Sequence, residues 1–177
     1  MVPGVRGGTA GALALLAVLV YLVLRGGGDE GAAPRDGGAD GSPRDPVSAR
    51  VVRAIDGDTI EVAIDGRTDD VRYIGVDTPE TVKPGEPVQC YGPQASAFNH
   101  RLVDGETVRL VFDSELRDVY GRLLAYVYAD GMFVNAELIR GGYARTLEIP
   151  PNTAEADRLA MLEQKAGEAG VGLWGAC

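Results

Sequence analysis

The chain is 177 residues long and 45% hydrophobic, so it can bury one core of ordinary size, and a single globular domain is expected. The formal net charge is −9, and residues 48–177 alone hold 13 lysines and arginines against 21 aspartates and glutamates. This acidic balance provides no basic footprint for nucleic acid. With one histidine and two cysteines in the chain, a metal site made of His and Cys ligands is excluded.

The first 47 residues differ in composition from the remainder. Residues 7–24 form an uncharged run, GGTAGALALLAVLVYLVL, which predicts a membrane-directed segment over residues 1–25. A retained anchor is favoured over a cleaved signal peptide, since no small-x-small cleavage site directly follows the run. Residues 26–47 combine Gly, Pro, Ala and charges with almost nothing to bury, which predicts a flexible linker. The folded domain is therefore placed at residues 48–177.

Short alternating segments predict a domain built mainly from strands. Alternation of apolar and polar residues predicts strands at residues 49–55, 59–64, 70–76, 108–112, 123–128 and 132–134. Helices are predicted to open at Pro93, at a capping Asn135, and at Asn152 with Glu155 as a capping box. Strands followed by inserted and appended helices indicate an α+β fold, most simply a small closed barrel with helices packed on it.

The two cysteines, Cys90 and Cys177, predict a single disulfide, with two free buried thiols as the alternative. Closing a loop of this size removes about 4 to 5 kcal/mol of unfolded-state entropy in the chain-entropy model. Such a bond suits an oxidising compartment. We therefore expect an extracytoplasmic protein, anchored by its first segment or secreted if that segment is cleaved.

Acidic residues at strand ends and two arginines supply the parts of a phosphate-handling site. Ca²⁺ binds carboxylate, carbonyl and water oxygens, so Asp58 and Asp77 with a carbonyl of the following turn are candidate ligands. Arg72 and Arg122 are candidates to bind phosphate, and Glu80 is a candidate to take a proton from water. Taken singly, each is more often a turn residue, a surface charge or a salt-bridge partner.

Several segments, in order and at similar spacing, resemble the staphylococcal nuclease (thermonuclease) family. They are residues 54–59 (AIDGDT), 76–80 (VDTPE), 91–98 (YGPQASAF), 120–126 (YGRLLAY), 128–131 (YADG) and 173–174 (LW). One such string can occur by chance, but the series in register across residues 49–174 is hard to obtain that way.

The resemblance implies a five-stranded OB-fold barrel with about three helices, and a calcium-dependent nuclease acting on DNA or RNA. The sequence does not determine the oligomeric state, and a monomer is the default expectation. It implies a role for each matching residue: Ca²⁺ ligands Asp58, Asp77 and the Thr78 carbonyl, general base Glu80, scissile-phosphate binding by Arg72 and Arg122, and contact with the nucleotide's phosphate by Tyr120. Water would attack in line and the 5′ oxygen would leave, giving 3′-phosphorylated products. The implied partner is nucleic acid, beside the membrane expected from the first segment.

Several features depart from the family's pattern. Glu148 stands where the type member has the first of two tyrosines, and no aromatic replaces the second; base stacking on an aromatic contributes about 1 to 3 kcal/mol per base. Val119 stands where a lysine would precede Tyr120, and the acidic domain weakens long-range capture of nucleic acid. A catalytically silent OB-fold binding module at the cell surface, or a structural domain without a ligand, therefore remains an alternative.

Overall fold

The computed structural model describes residue 1, residues 45–81, residue 85 and residues 87–177. The predicted membrane segment beyond residue 1 and the linker up to residue 44 lie outside the described residues. In the part of the chain that is described, no helix has the length and apolar character needed to cross a membrane. The first strand of the folded body begins at Val47.

Five strands close into a barrel, which confirms the predicted architecture. Strands β1 (Val47–Ala54), β2 (Thr59–Ile64) and β3 (Arg67–Tyr73) are antiparallel neighbours. β1 also pairs with β5 (Thr107–Val111), which pairs antiparallel with β6 (Leu123–Ala129). β6 closes the barrel by running parallel to β3. Alternate side chains of these strands point inward, so Val and Ile from every side fill the interior.

One predicted strand is divided in two by the structure. Residues 70–76 were expected to form a single strand, but β3 ends before Ile74 and a separate strand β4 (Gly75–Asp77) follows. Gly75 has a φ of 79°, a left-handed conformation that glycine adopts at little cost. The turn takes the chain out of the barrel, so β4 pairs with β8 (Arg145–Leu147) instead.

Helices surround the barrel at the three predicted places. α1 (Gly92–Val103) contacts β1, α2 (Val134–Arg140) contacts β6, and α3 (Ala156–Glu168) packs on α2. The short strand β7 (Met132–Phe133) leads into α2, and a single helical turn, α4 (Leu173–Ala176), follows α3.

The predicted cap of α2 is wrong. Asn135 lies inside the helix, which follows Phe133, and its side chain is fully buried. Its amide oxygen accepts the Val127 N–H at 2.9 Å, and its amide nitrogen donates to the Ile74 carbonyl at 2.8 Å. Pairing two backbone groups inside the protein is worth more than capping an exposed helix end, because buried unpaired groups are costly.

The predicted capping box of α3 is wrong for the same reason. Glu155 is the residue before the helix and forms no side-chain cap. Asn152, 5% exposed, instead accepts the Glu115 N–H at 2.7 Å and donates to the Glu115 carbonyl at 2.9 Å. The asparagine therefore fixes the loop before α3 to the segment that follows β5.

The predicted disulfide between Cys90 and Cys177 is confirmed, and the described part of the chain contains no free cysteine. The bond joins the segment just before α1 to the residue after α4. Two regions 87 residues apart in sequence are thereby held together.

Candidate functional site

The turn between β1 and β2 carries two aspartates against the end of β4. The Asp58 N–H donates to Oδ1 of Asp56 at 3.0 Å, an arrangement in which an aspartate stabilises its own turn. Gly57 between them is required, since a Cβ there would lie 2.6 Å from Oγ1 of Thr78. Asp58 is 5% exposed, and its Oδ2 accepts both the N–H and the O–H of Thr78 at 2.8 Å.

Arg72, near the end of β3, connects this turn to β4. Its Nε lies 3.3 Å from Oδ1 of Asp58, and its Nη2 lies 3.3 Å from Oδ1 of Asp77. Nη1 donates to the carbonyl oxygens of Tyr73 at 3.1 Å and Val76 at 2.8 Å. The planar guanidinium is therefore immobilised by three segments of chain, with a side chain only 14% exposed.

Glu80 follows β4 in a segment that is fastened by its main chain. The Glu80 N–H donates to Oε1 of Gln89 at 3.0 Å, and the Gln89 N–H donates to the Glu80 carbonyl at 2.9 Å. Oε1 of Glu80 accepts the Thr81 N–H at 2.7 Å. Cys90, which follows Gln89, carries the disulfide to the C-terminal residue, so this segment is also tied covalently.

Arg122 comes from the turn before β6, the parallel neighbour of β3. Asp118 organises that turn: its Oδ1 accepts the N–H groups of Tyr120 and Arg122 at 3.0 Å, and its Oδ2 lies 2.7 Å from both Nε and Nη2 of Arg122. The guanidinium lies 5.4 Å from the centroid of the Tyr120 ring, which is 81% exposed. The sequence interpretation missed Asp118; its place four residues before an arginine is the signal that was available.

These residues meet at one cavity of about 200 Å³, referred to here as the charged cleft. Its lining includes the candidate catalytic and metal-binding residues from the sequence and one carboxylate, Asp56, that the sequence analysis did not single out: Asp58, Arg72, Asp77, Thr78, Glu80 and Arg122, with Asp56 added. Tyr120 lies outside the cleft, on the neighbouring cavity. Folding therefore brings together residues from the β1–β2 turn, β3, β4 and the turn before β6.

The charged cleft holds more negative charge than its two arginines neutralise. Burial, followed by the charge of Asp58, raises the pKa of Asp56 from 3.8 to about 6. Burial also raises the pKa of Asp77; the charge of Arg72 opposes this rise, and the charges of Asp58 and Glu80 add to it. A hard divalent cation placed among these oxygens would relieve the repulsion, so the donor chemistry fits Ca²⁺.

The protein supplies an incomplete cage for such an ion. Among the residues that the structure describes, no group of three or more His, Cys, Asp or Glu side chains is arranged to hold a metal. Asp58 and Asp77 offer two carboxylates, of which Asp77 has a side chain 57% exposed to solvent. Ca²⁺ accepts carbonyl and water oxygens beside carboxylates. The set of Asp58, Asp77 and the Thr78 carbonyl therefore fits a hydrated ion.

A larger cavity of about 330 Å³ adjoins the charged cleft and shares Arg72 and Arg122 with it. The remainder of its wall is largely apolar and includes Val119, Tyr120, Leu124, Leu147 and Ile149. Glu148, expected to add a carboxylate here, borders a different, smaller cavity. The two aliphatic neighbours of Glu148, Leu147 and Ile149, therefore line this cavity, and Glu148 does not.

The protein is thus a small OB-type barrel with a carboxylate–arginine cleft beside an apolar cavity. Residues 70–176 match the family model described as "Staphylococcal nuclease homologue". The chain belongs to this family, as the motifs in its sequence indicated.

Three curated relatives illustrate the similarity. Endonuclease YncB of Bacillus subtilis (strain 168) is 47% identical over 130 residues, covering 72% of this chain and 62% of the relative. The SPbeta prophage-derived endonuclease YokF of the same organism is 45% identical over 130 residues, covering 72% of this chain and 44% of the relative. The thermonuclease of Staphylococcus hyicus is 43% identical over 125 residues, covering 71% of this chain and 74% of the relative. The chain thus spans less than two thirds of the length of either Bacillus relative.

Proposed function

We propose that this protein is a calcium-dependent nuclease that hydrolyses phosphodiester bonds of DNA or RNA to 3′-phosphorylated products. The observation that carries the proposal is the convergence of Arg72, Arg122, Glu80 and the aspartate pair on one charged cleft. The names of the relatives, two endonucleases and a thermonuclease, support the same activity.

In this proposal the two arginines bind the scissile phosphate and stabilise the charge that develops on it. Arg72 is already fixed by its contacts, so it loses little conformational entropy on binding. Arg122 is held by Asp118 from one side only, with its side chain 31% exposed, which leaves N–H groups for a phosphate oxygen. Preorganised donors of this kind contribute about 10²- to 10³-fold each to the rate.

Glu80 takes the proton of the attacking water, and its position is maintained by Gln89 and the Thr81 N–H. Asp58, Asp77 and the Thr78 carbonyl would hold Ca²⁺, which would supply positive charge to offset the charge developing on the phosphate. Asp58 is fixed by Thr78 and Arg72 before any ion is bound. The chain's own contribution is therefore to orient the phosphate, the base and the ion-binding oxygens together.

The adjoining apolar cavity receives the nucleoside, with Tyr120 beside its phosphate and with Leu147 and Ile149 along the base. Aliphatic contacts discriminate poorly between bases, so we expect little base preference. The acidic domain contributes no long-range attraction, and binding therefore depends on the local cleft and weakens with salt.

The test is hydrolysis of single-stranded DNA and of RNA by the full chain, with Ca²⁺ and with chelator. We expect calcium-dependent cleavage that is lost in Glu80→Gln and Arg122→Ala. Glu106→Gln is the matched control, because Glu106 is exposed and lies outside the lining of the charged cleft. An inactive parent protein that nonetheless binds oligonucleotide would instead support the silent binding module.

We further propose that the protein is monomeric and acts outside the cytoplasm, held to the membrane by residues 1–25 or secreted after their removal. The disulfide Cys90–Cys177 supports this placement, because such bonds persist in oxidising compartments. Fractionation of cells that produce the full chain, with protease added from outside, tests it; protection of the domain in intact cells would refute it.

A further inference from the structure

Three aromatic rings form a stack next to the segment that carries Glu80. The ring centroids of Tyr91 and Tyr143 lie 5.6 Å apart, and those of Tyr143 and Phe98 lie 4.1 Å apart, with interplanar angles of 27° and 14°. All three side chains are partly exposed. We name the surface formed by Tyr91, Phe98, Arg101 and Tyr143 the ring platform.

An open groove of about 300 Å³ runs along the ring platform. Its walls are Tyr91 and Tyr143 with four residues of α1, namely Pro93, Gln94, Ala97 and Arg101. The groove therefore offers two phenol rings, one amide and one cation to a ligand. Flat aromatic walls with a few polar groups are typical of sites that bind planar molecules.

Arg101 adds a positive charge to the ring platform. Its guanidinium lies 5.4 Å from the centroid of Phe98, and Nη1 donates to the Ala97 carbonyl at 3.1 Å. Unlike Arg72 and Arg122, Arg101 forms no ion pair with any carboxylate of the described residues. In a domain with excess acidic residues, such an arginine is available to an anionic ligand.

The ring platform adjoins, through Gly92, the segment that carries Glu80 at the edge of the charged cleft. Gly92, next to Tyr91, packs so closely on the segment before it that a Cβ there would lie 3.0 Å from the carbonyl oxygens of Pro79 and Glu80. The Gly92 N–H donates to the Gln89 carbonyl at 3.0 Å, and Gln89 holds Glu80. A chain-like ligand that extends from the cleft past Glu80 would therefore meet the rings.

We propose that the ring platform is a second nucleotide subsite, which stacks an unpaired base of a single-stranded substrate away from the scissile bond while Arg101 contacts a neighbouring phosphate. The proposal rests on the proposed nuclease function. Aromatic stacking tolerates every base, and arginine adds both charge and planar contact. The subsite would supply affinity that the acidic surface does not.

The experiment compares two substrates of the full chain in Ca²⁺: a single-stranded DNA decamer and a minimal nitrophenyl phosphodiester of thymidine, too small to reach the rings. Tyr143→Leu removes the central ring, on which Tyr91 packs, and is expected to raise KM for the decamer about tenfold, the size of one lost stacking contact. Arg101→Gln is expected to raise it about threefold. Both variants keep the parent kcat/KM for the minimal substrate, and Tyr143→Phe keeps the parent KM for the decamer.

Arg109→Gln is the matched control for charge. Arg109 also lies over an aromatic ring, 4.1 Å from the centroid of Tyr128, and like Arg101 it is exposed, but it is not part of the groove. Its substitution removes one positive charge and is expected to leave both substrates unaffected. If Arg109→Gln and Arg101→Gln raise the KM for the decamer equally, the effect depends on net charge alone, and the ring platform is not a subsite.

Binding of a dye-labelled decamer to Glu80→Gln protein, followed by fluorescence anisotropy, separates this inference from the nuclease proposal. If the parent protein cleaves neither substrate but Tyr143→Leu weakens decamer binding tenfold, the subsite stands and the nuclease function does not. If Tyr143→Leu and Arg101→Gln both leave the affinity for the decamer unchanged, the ring platform is not a nucleotide subsite. The same conclusion follows if a proline-rich peptide binds the rings without competing with the decamer. Thermal unfolding checks that Tyr143→Leu is folded; if it is not, Arg101→Gln decides.

Discussion

The two arginines of the charged cleft are held in different ways. Arg72 is 14% exposed and is bound by groups from the β1–β2 turn, β3 and β4, whereas Arg122 is 31% exposed and is bound by Asp118, four residues earlier in the same turn. One wall of the cleft is therefore part of the barrel's own packing, and the other is a locally organised turn. The same functional group can be positioned by tertiary structure or by its sequence neighbours, with different consequences for stability.

Arg72→Gln should produce the largest effect because it damages both the chemistry and the fold. We expect kcat to fall about 10³-fold, at the upper end for one preorganised donor. Asp58 would be left as a buried carboxylate without its cation, so the free energy of unfolding should fall by about 3 to 5 kcal/mol. Steady-state kinetics and urea unfolding in chelator measure the two effects; an unchanged unfolding midpoint would contradict the assignment of Arg72 to the barrel wall.

Arg122→Gln tests the arginine that is held by its own turn. The loss of kcat should be similar, about 10²- to 10³-fold, because a phosphate donor is again removed. Its partner Asp118 has a side chain 16% exposed, but it would keep the hydrogen bonds from the Tyr120 and Arg122 N–H groups, so the free energy of unfolding should fall by only about 1 to 2 kcal/mol. The same two measurements apply, and a destabilisation as large as that of Arg72→Gln would show that the walls do not differ.

The segment with Glu80 is held by a third means, the disulfide. The double variant Cys90→Ser and Cys177→Ser should lower the free energy of unfolding by about 4 to 5 kcal/mol, since a long loop of the unfolded chain is released. We expect kcat to fall less than in either arginine variant, because Gln89 still holds Glu80 through two hydrogen bonds. Parent protein reduced with dithiothreitol is the control and should reproduce both changes; a reduced protein as stable as the oxidised one would be inconsistent with this role.

Asp113 lies outside the charged cleft, and its substitution should have the smallest effect on the free energy of unfolding. Partial burial acts to raise the pKa of Asp113, but hydrogen bonds from the Ala154 and Ser114 N–H groups and the Tyr126 O–H outweigh it and lower the pKa. A pKa lowered on folding stabilises the native state above the unfolded-state value of about 3.9, and this stability is lost as pH falls through the folded value.

Asp113→Asn should therefore be less stable than the parent by up to about 1 kcal/mol at pH 7, a small effect because solvent screens the group. The difference should shrink as the pH falls below about 4. Urea unfolding at a series of pH values measures it. A difference that grows on acidification would contradict the sign, and Asp130→Asn, at an exposed turn, serves as the control.

Elements defined by local sequence signals were predicted correctly, whereas those defined by distant contacts were not. Strand β2 occupies the predicted residues 59–64, because strict alternation and the Asp65-Gly66 turn are both local signals. The division of residues 70–76 was missed, since β4 pairs with β8, whose residues lie about 70 positions later in the chain. Asn135 was read as a cap because its local pattern allows one, and only the partners Val127 and Ile74 explain its buried place.

Local patterns in the sequence predicted the barrel, the three helices and the family, and they identified the charged residues that meet in the cleft except Asp56. These follow from alternation, turn residues and ordered motifs, all of which act over short stretches of chain. Tertiary structure alone decided which groups hold each arginine, that Leu147 and Ile149 rather than Glu148 line the apolar cavity, and that Tyr91, Phe98 and Tyr143 stack into one surface. Such contacts join residues that are distant in sequence, and their geometry exists only once the barrel has closed.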